Sequence, residues 1–285
     1  MISGIINVLK PAGVTSNAVL TNIKKKIHPS KIGHLGTLDP SGVGVLPVCI
    51  NKATKLFDYY LQKDKVYRAI FVFGKETDTL DSDGKITKIQ DIEIKTEDLE
   101  AVLPKFLGKI EQLPPKYSAK NVNGKKAYDL ARSGVVFELS SKQVEIYSIK
   151  LLDKLSKNTY LFEIHCSSGT YIRSLARDIA KELNTIAYMA AIIRTKSGNF
   201  CIEHSVKIED ITENSIMTLE NILKDWENIF VNDKFYDKIT NGCTIKVKMC
   251  DTNNVVVYCK NQLIGIGDIL NGHLKIKTSL WEKND

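Results

Sequence analysis

Lys31 to Ile50, KIGHLGTLDPSGVGVLPVCI, packs four glycines, two prolines, one histidine and one carboxylate into twenty residues. Such glycines permit backbone angles closed to other residues and let another backbone or a base approach closely. Asp39 stands between Leu38 and Pro40, so it is held extended or in a turn ahead of the proline. Its neighbours Val43, Val45, Leu46, Val48 and Ile50 are apolar, which presents the carboxylate at the edge of a core. Asp before Pro is also a common turn device. The loop alone leaves a structural and a functional role open.

At 285 residues the chain can bury a sizeable core and is expected to hold more than one domain. A hydrophobic content of 43% with 26% charged residues is ordinary for a soluble globular protein. The formal net charge of +7 favours an anionic partner only if the basic residues cluster. Six cysteines, at 49, 166, 201, 243, 250 and 259, include no CxxC pair, and most sit in apolar runs. Reduced, mostly buried thiols in a cytoplasmic protein are expected, not disulfides or a zinc site. The apolar run before Lys10 is too short for a signal peptide, and no stretch approaches a membrane span.

Gly4 to Lys10 reads as a strand ended by Pro11 and Gly13. Thr15 and Ser16 offer an N-cap for a helix that buries Val19, Leu20, Ile23 and Ile27, carries Lys24, Lys25 and Lys26, and stops before Pro29. Ala53 to Gln62 reads as a short helix, and Val66 to Phe73 as a strand with Tyr67, Ala69, Phe71 and Phe73 on one face. By pattern alone Tyr67 is a core tyrosine. Gly74 to Ile86 tempts an EF-hand reading, which fails because Thr79 and Gln90 stand where a carboxylate and a bidentate Glu are required. What remains is an acidic turn carrying Asp81.

Thr96 opens a capped amphipathic segment disturbed by Pro104. From Gln112 to Gly134 the chain concentrates Lys116, Lys120, Lys125, Lys126 and Arg132 with two tyrosines and one acid, Asp129. Basic residues interleaved with aromatics form a nucleic-acid footprint more specific than net charge. Tyr160 to Cys166 alternates as a strand, and Gly169-Thr170 turns into a helix that buries Ile172, Leu175, Ala176, Ile179 and Leu183. Arg173 lies about 100° round from Ile172, at the margin of that face. A cation in a first helical turn opposes the helix dipole, so a specific anionic partner is expected for it. Ser205 to about Phe230 reads as a polar, helical connector. Short strands at Thr244–Met249, Val255–Cys259, Leu263–Ile266 and Leu274–Lys277 follow, separated by Asn241-Gly242, Asn253-Asn254 and Asn271-Gly272.

GHLGTLDPSGVGVLP resembles the active-site motif of the TruB family of tRNA pseudouridine synthases, in which the Asp is catalytic. PPKYSA with the GKK after it, GTYIR, and Ile192-Ile193-Arg194 followed by Thr195 to Gly198 resemble further motifs of that family in the same order. The likeness covers about residues 4 to 200, and QLIGIGDI resembles its C-terminal PUA-like module less specifically. The resemblance implies an α/β (α+β) fold: a mixed, mainly antiparallel catalytic domain over 1–230, an RNA-gripping insertion at about 112–143, and a small all-β PUA-like module over 231–285.

It also implies a substrate, uridine 55 in the T stem-loop of tRNA, isomerised to pseudouridine in the cytoplasm by a monomer with no obligate protein partner, cofactor or metal. Extruding the base costs a few kcal/mol, and one aromatic stack returns about 1–3 kcal/mol, so a prepared pocket is required. By the resemblance Tyr67 stacks on the flipped base, and His34, Tyr171 and Ile192 complete the pocket. Asp39 either attacks ribose C1′ or removes a C2′ proton; the sequence leaves both routes open. Arg173 aims Asp39, Asp81 holds Arg173 from the other side, and Tyr67 is also a candidate for handling the C5 proton. The insertion residues Lys116, Lys120, Lys125, Lys126 and Arg132 grip RNA. Two other classes share these features: a glycosylase, which would release free base, and a non-catalytic RNA-binding protein or chaperone. A guide-RNA-dependent relative is disfavoured by the chain's own insertion.

Overall fold

The computed structural model describes residues 2–281 apart from 119 and 123, with the backbone alone of Asn121, Val122, Lys125, Lys126 and Arg132. β1 (Gly4–Lys10) ends at Pro11, which has no N–H to continue a ladder. Thr15 caps α1 (Ser16–Ile27), its hydroxyl accepting from the Ala18 N–H, and Val19 and Ile23 are buried on the inner face. β2 (Ile32–His34) and β3 (Val43–Ile50) form an antiparallel pair around the glycine-rich loop. A 3₁₀ turn over Asn51–Leu56 leads into α2 (Phe57–Leu61) and then β4 (Lys65–Phe73), whose Tyr67, Ala69, Phe71 and Phe73 face the core.

β5 (Lys75–Thr77) and β6 (Ile86–Ile89) pair around the acidic turn. α3 (Thr96–Val102) passes into a 3₁₀ turn at Leu103–Phe106, where Pro104 cannot extend the α ladder. Thr96 is the first helical residue and not the cap; Lys95 holds that position without a side-chain hydrogen bond. The chain leaves the sheet after β7 (Gly108–Gln112) and runs through β8 (Asn121–Val122), β9 (Lys125–Lys126) and α4 (Ala127–Arg132). It rejoins the sheet in β10 (Lys142–Ser156), whose Lys142 lies opposite Gln112.

β11 (Thr159–Cys166), α5 (Ile172–Glu182), β12 (Ala187–Ser197), β13 (Phe200–Cys201), β14 (Val206–Lys207) and β15 (Met217–Thr218) complete the larger unit. Its sheet runs β14-β1-β3-β12-β4-β11-β10-β7, with β2, β13 and β15 attached at the sides. Only the β1–β14 and β12–β3 pairs are parallel. α5 covers one face, packing Ile172, Leu175, Ala176 and Ile179 with Phe71, Phe162 and Ile164.

Residues 205–230 depart from the expected helical connector. Only α6 (Leu219–Leu223) is α-helical there, while β14 and β15 pair one after the other along the edge of β1 opposite β3. An open strand edge supplies ready hydrogen-bond partners, and a short isolated helix is marginal. The second sheet, β16-β18-β19-β20-β17, begins at β16 (Asn228–Val231) and includes β17 (Ile245–Lys246), β18 (Thr252–Cys259), β19 (Gln262–Leu270) and β20 (His273–Ser279). α7 (Tyr236–Thr240) precedes β17. Asn253-Asn254 is not a turn: β18 continues through it with a bulge at which Asn254 takes φ 58°. The β18–β19 turn is made by Lys260 and Asn261, with φ of 51° and 56°, while Asn271-Gly272 closes β19–β20 as expected.

All six cysteines are free thiols. Cys49, Cys166 and Cys259 are buried, but Cys243 and Cys250 are exposed, so fewer are buried than their apolar neighbours suggest. Among the described residues no helix is long and apolar enough to cross a membrane.

Candidate active site

Asp39 sits in the loop between β2 and β3, and almost every peptide around it is tied to another element. Ser16 at the start of α1 donates its hydroxyl to the Leu38 carbonyl and accepts the Leu38 N–H, both at 3.0 Å. Gly13 N–H donates to the Pro40 carbonyl at 2.9 Å, and Gly42 N–H closes a turn on the Asp39 carbonyl at 3.0 Å. Lys10 Nζ, at the end of β1 and fully buried, donates to the carbonyls of Pro11, Pro40 and Gly42 at 2.8, 3.0 and 2.6 Å. The loop backbone is therefore fixed while the Asp39 side chain stays 36% exposed.

Arg173, in the first turn of α5, meets that carboxylate. Its Nη2 lies 3.2 Å from Oδ1 and 3.1 Å from Oδ2 of Asp39. Nη1 lies 3.0 Å from Asp81 Oδ2 and donates to the Thr79 carbonyl at 3.2 Å. The anionic partner expected for a cation at this position is thus present twice. Asp81 is set by its own turn, accepting at Oδ1 from the Thr79 hydroxyl at 2.5 Å and from the Asp83 N–H at 3.1 Å. Burial pushes the Asp81 carboxyl above the usual range, opposed by the Thr79 hydroxyl and by Arg173. Leu80, beside it, takes φ 62° while its carbonyl accepts the Met189 N–H of β12. Left-handed backbone in a residue of this type stores strain of the kind found at functional sites.

Tyr67 on β4 is 9% exposed and faces Arg194 across the β4–β12 pair. Burial pushes its phenol up, and the Arg194 guanidinium pulls the other way. Tyr171 occupies the N-cap position of α5, its backbone held by Gln112: the Gln112 amide donates to the Tyr171 carbonyl at 3.1 Å and accepts the Tyr171 N–H at 2.7 Å. Ile192 is 7% exposed, opposite Ala69. His34 ends β2; burial and the charge of Arg194 push its imidazole below the ordinary value. Asp39, Arg173, Asp81, Tyr67 and Tyr171 thus converge, and each of the two tyrosines is within electrostatic reach of Asp39.

The insertion residues are less uniform. Lys116 is exposed, whereas Lys120 donates to the carbonyl and hydroxyl of Ser140 at 2.7 and 3.1 Å and so braces the returning chain. The side chains of Lys125, Lys126 and Arg132 lie outside the described residues. Among the described residues no group of three His, Cys, Asp or Glu side chains is placed to hold a metal ion.

Three residues that shape the site carry no role in the sequence reading: Lys10, Gln112 and Arg194. Arg194 had a usable signal, because period-two alternation from Ile192 places it on the inward face of β12. Lys10 and Gln112 are recognised only through partners 30 and 59 residues away.

A carboxylate aimed by a buried arginine, on a loop beside two tyrosines in a mixed sheet, is the arrangement the motif resemblance led one to expect. Residues 24–172 match the family model described as TruB family pseudouridylate synthase (N terminal domain). A relative from Clostridium acetobutylicum named tRNA pseudouridine synthase B is 38% identical, over 96% of this chain and 98% of its own. One of the same name from Caldanaerobacter subterraneus subsp. tengcongensis is 40% identical, over 93% and 94%. The solved structure of a Cbf5-Nop10-Gar1 complex contains a chain with a TM-score of 0.72 at 23% identity, covering 98% of this chain and 85% of that one, a likeness of fold. The chain belongs to the TruB family of pseudouridine synthases and is an enzyme of the isomerase class.

Proposed function

We propose that this enzyme converts uridine 55 in the T stem-loop of tRNA to pseudouridine, with Asp39 as the catalytic residue. Its family membership and its relatives' names support tRNA pseudouridylation. The observation that carries the residue assignment is the Asp39–Arg173–Asp81 ion-pair chain, in which a half-exposed carboxylate is aimed by an arginine whose other face is anchored in the core.

The base leaves the T loop and stacks on Tyr67, with His34, Tyr171 and Ile192 around it. The bond from N1 to C1′ breaks, the base turns, and C5 bonds to C1′; the C5 proton leaves in exchange for one at N1. Asp39 initiates this either at C1′ or at the C2′ proton, and Tyr67 is the candidate for handling the C5 proton. Atoms and electrons balance within the substrate, so the reaction calls for no redox partner. The insertion grips the RNA through Lys116 and its neighbours, residues 1–230 form the catalytic domain, and 231–285 form the PUA-like module. The protein acts as a monomer in the cytoplasm, without an obligate protein partner.

The test is an unmodified tRNA transcript incubated with the protein, with carbodiimide labelling and primer extension to map pseudouridine. A stop at the T-arm uridine, absent from a transcript with cytidine there, is the expected result. Tight binding without a stop would favour the RNA-binding reading, and free uracil would favour a glycosylase.

A further inference from the structure

Arg194 is the largest side chain to be fully buried, at 1% exposure, and no carboxylate pairs with it among the described residues. An uncompensated cation in a core is costly, so its surroundings must supply negative potential. Three main-chain carbonyls do so, and all belong to the segment that carries Asp39. Nε donates to Val45 at 2.7 Å, Nη2 to Gly36 at 3.1 Å, and Nη1 to Thr37 at 3.3 Å. The backbone of Arg194 is equally close: its carbonyl oxygen would lie 2.2 Å from a Cβ at Gly44, a position with φ +114°.

We propose that Arg194 is a positioning residue for the isomerisation, its buried guanidinium gathering both ends of the Asp39 loop onto β12 beside Tyr67. The inference rests on Asp39 being the catalyst. Both stems of the loop are held by one rigid fork, which an ammonium could not reproduce because it is a point charge without a fixed plane. Its charge also reaches four titratable groups around it: Lys10 from β1, His34 from β2, and Lys65 and Tyr67 from β4. In each of these the Arg194 charge lowers the pKa, and at His34 it adds to the larger effect of burial, so that both favour a neutral imidazole.

Arg194→Lys and Arg194→Gln separate geometry from charge. The readouts are the single-turnover rate on a tRNA transcript, the tRNA dissociation constant, and the His34 imidazole titration by NMR, assigned with His34→Gln. Arg194→Gln should slow isomerisation about 100-fold, the scale of a misplacement near 1 Å, with binding changed less than about threefold. Its His34 should titrate at higher pH than in the wild type. Arg194→Lys keeps the charge, so His34 should stay low while the rate still falls about tenfold, because the fork is lost.

Rates equal to wild type in both variants overturn the proposal, as does a loss confined to binding. If Arg194→Gln does not fold, the lysine variant decides the kinetic half. A wild-type His34 titrating at or above about 6.5 overturns the electrostatic half. A wild-type enzyme that isomerises no uridine, or an Asp39→Asn variant that isomerises normally, would instead remove the reading beneath it.

Discussion

Arg173 spans two carboxylates of opposite standing, Asp39 half-exposed and Asp81 buried, with a different nitrogen on each. A lysine at this position keeps the charge but cannot hold both at once. Arg173→Lys should therefore lower the single-turnover rate at least about 100-fold with tRNA affinity little changed. An unchanged rate would remove the ion-pair chain from the mechanism. Lys10 gives a pH-dependent prediction. Burial lowers its ammonium from 10.5 to about 8, outweighing the opposing pull of Asp39. Between those values the unfolded chain holds a proton that the folded one does not, so stability rises with pH across that window. In urea unfolding, wild type should gain on Lys10→Met from about pH 8 to 10. A difference flat over this range would contradict the assignment. At this scale the sequence was most legible where the chemistry is contiguous, as in LGTLDPSG and GTYIR. The roles of Lys10 and Arg194 were not assigned because most of the carbonyls that make each buried cation tolerable lie 30 to 158 residues away.

β3 and β12 run parallel where they bring the Asp39 loop against Arg194, and Gly44 is the residue at their contact. A methyl group there would press on the carbonyl, carbon and nitrogen of Arg194 at 2.2, 2.9 and 2.9 Å, from a left-handed backbone position. Gly44→Ala should destabilise the fold by more than about 2 kcal/mol, and activity should fall further than stability alone explains. A variant with wild-type melting behaviour would show that the strands can part without cost. Strands with clean alternation, β4 and β11, were legible because one face of each is buried and its period is two. Residues 205–230 were not, since the short strands β14 and β15 exist only because β1 leaves one edge open to pair with. Asn253-Asn254 misled for a related reason: turn residues also serve bulges, and only the register with β19 decides between them.

Across the whole molecule, the small sheet does not hang from a linker. Val256, Leu263, Ile266 and Leu280 share one buried cluster with Ile5, Leu35 and Val45 of the larger unit. Tyr59 reaches the Thr278 hydroxyl at 2.9 Å, and Lys55 Nζ the Ser279 carbonyl at 2.8 Å. The two sheets should therefore unfold together. Leu263→Ala should cost about 2–5 kcal/mol and move a single calorimetric transition. Two transitions, with only one displaced, would show that the cluster does not couple them.

The central claim is that Asp39 starts the isomerisation, and release of the C5 hydrogen reports it directly. A tRNA transcript carrying 5-tritiated uridine would be mixed with excess wild-type protein or Asp39→Asn, and tritium in water followed over a single turnover. The account predicts one tritium released per T-arm uridine by the wild type, and none by the variant although it binds the transcript equally well. Release by Asp39→Asn at the wild-type rate would contradict it.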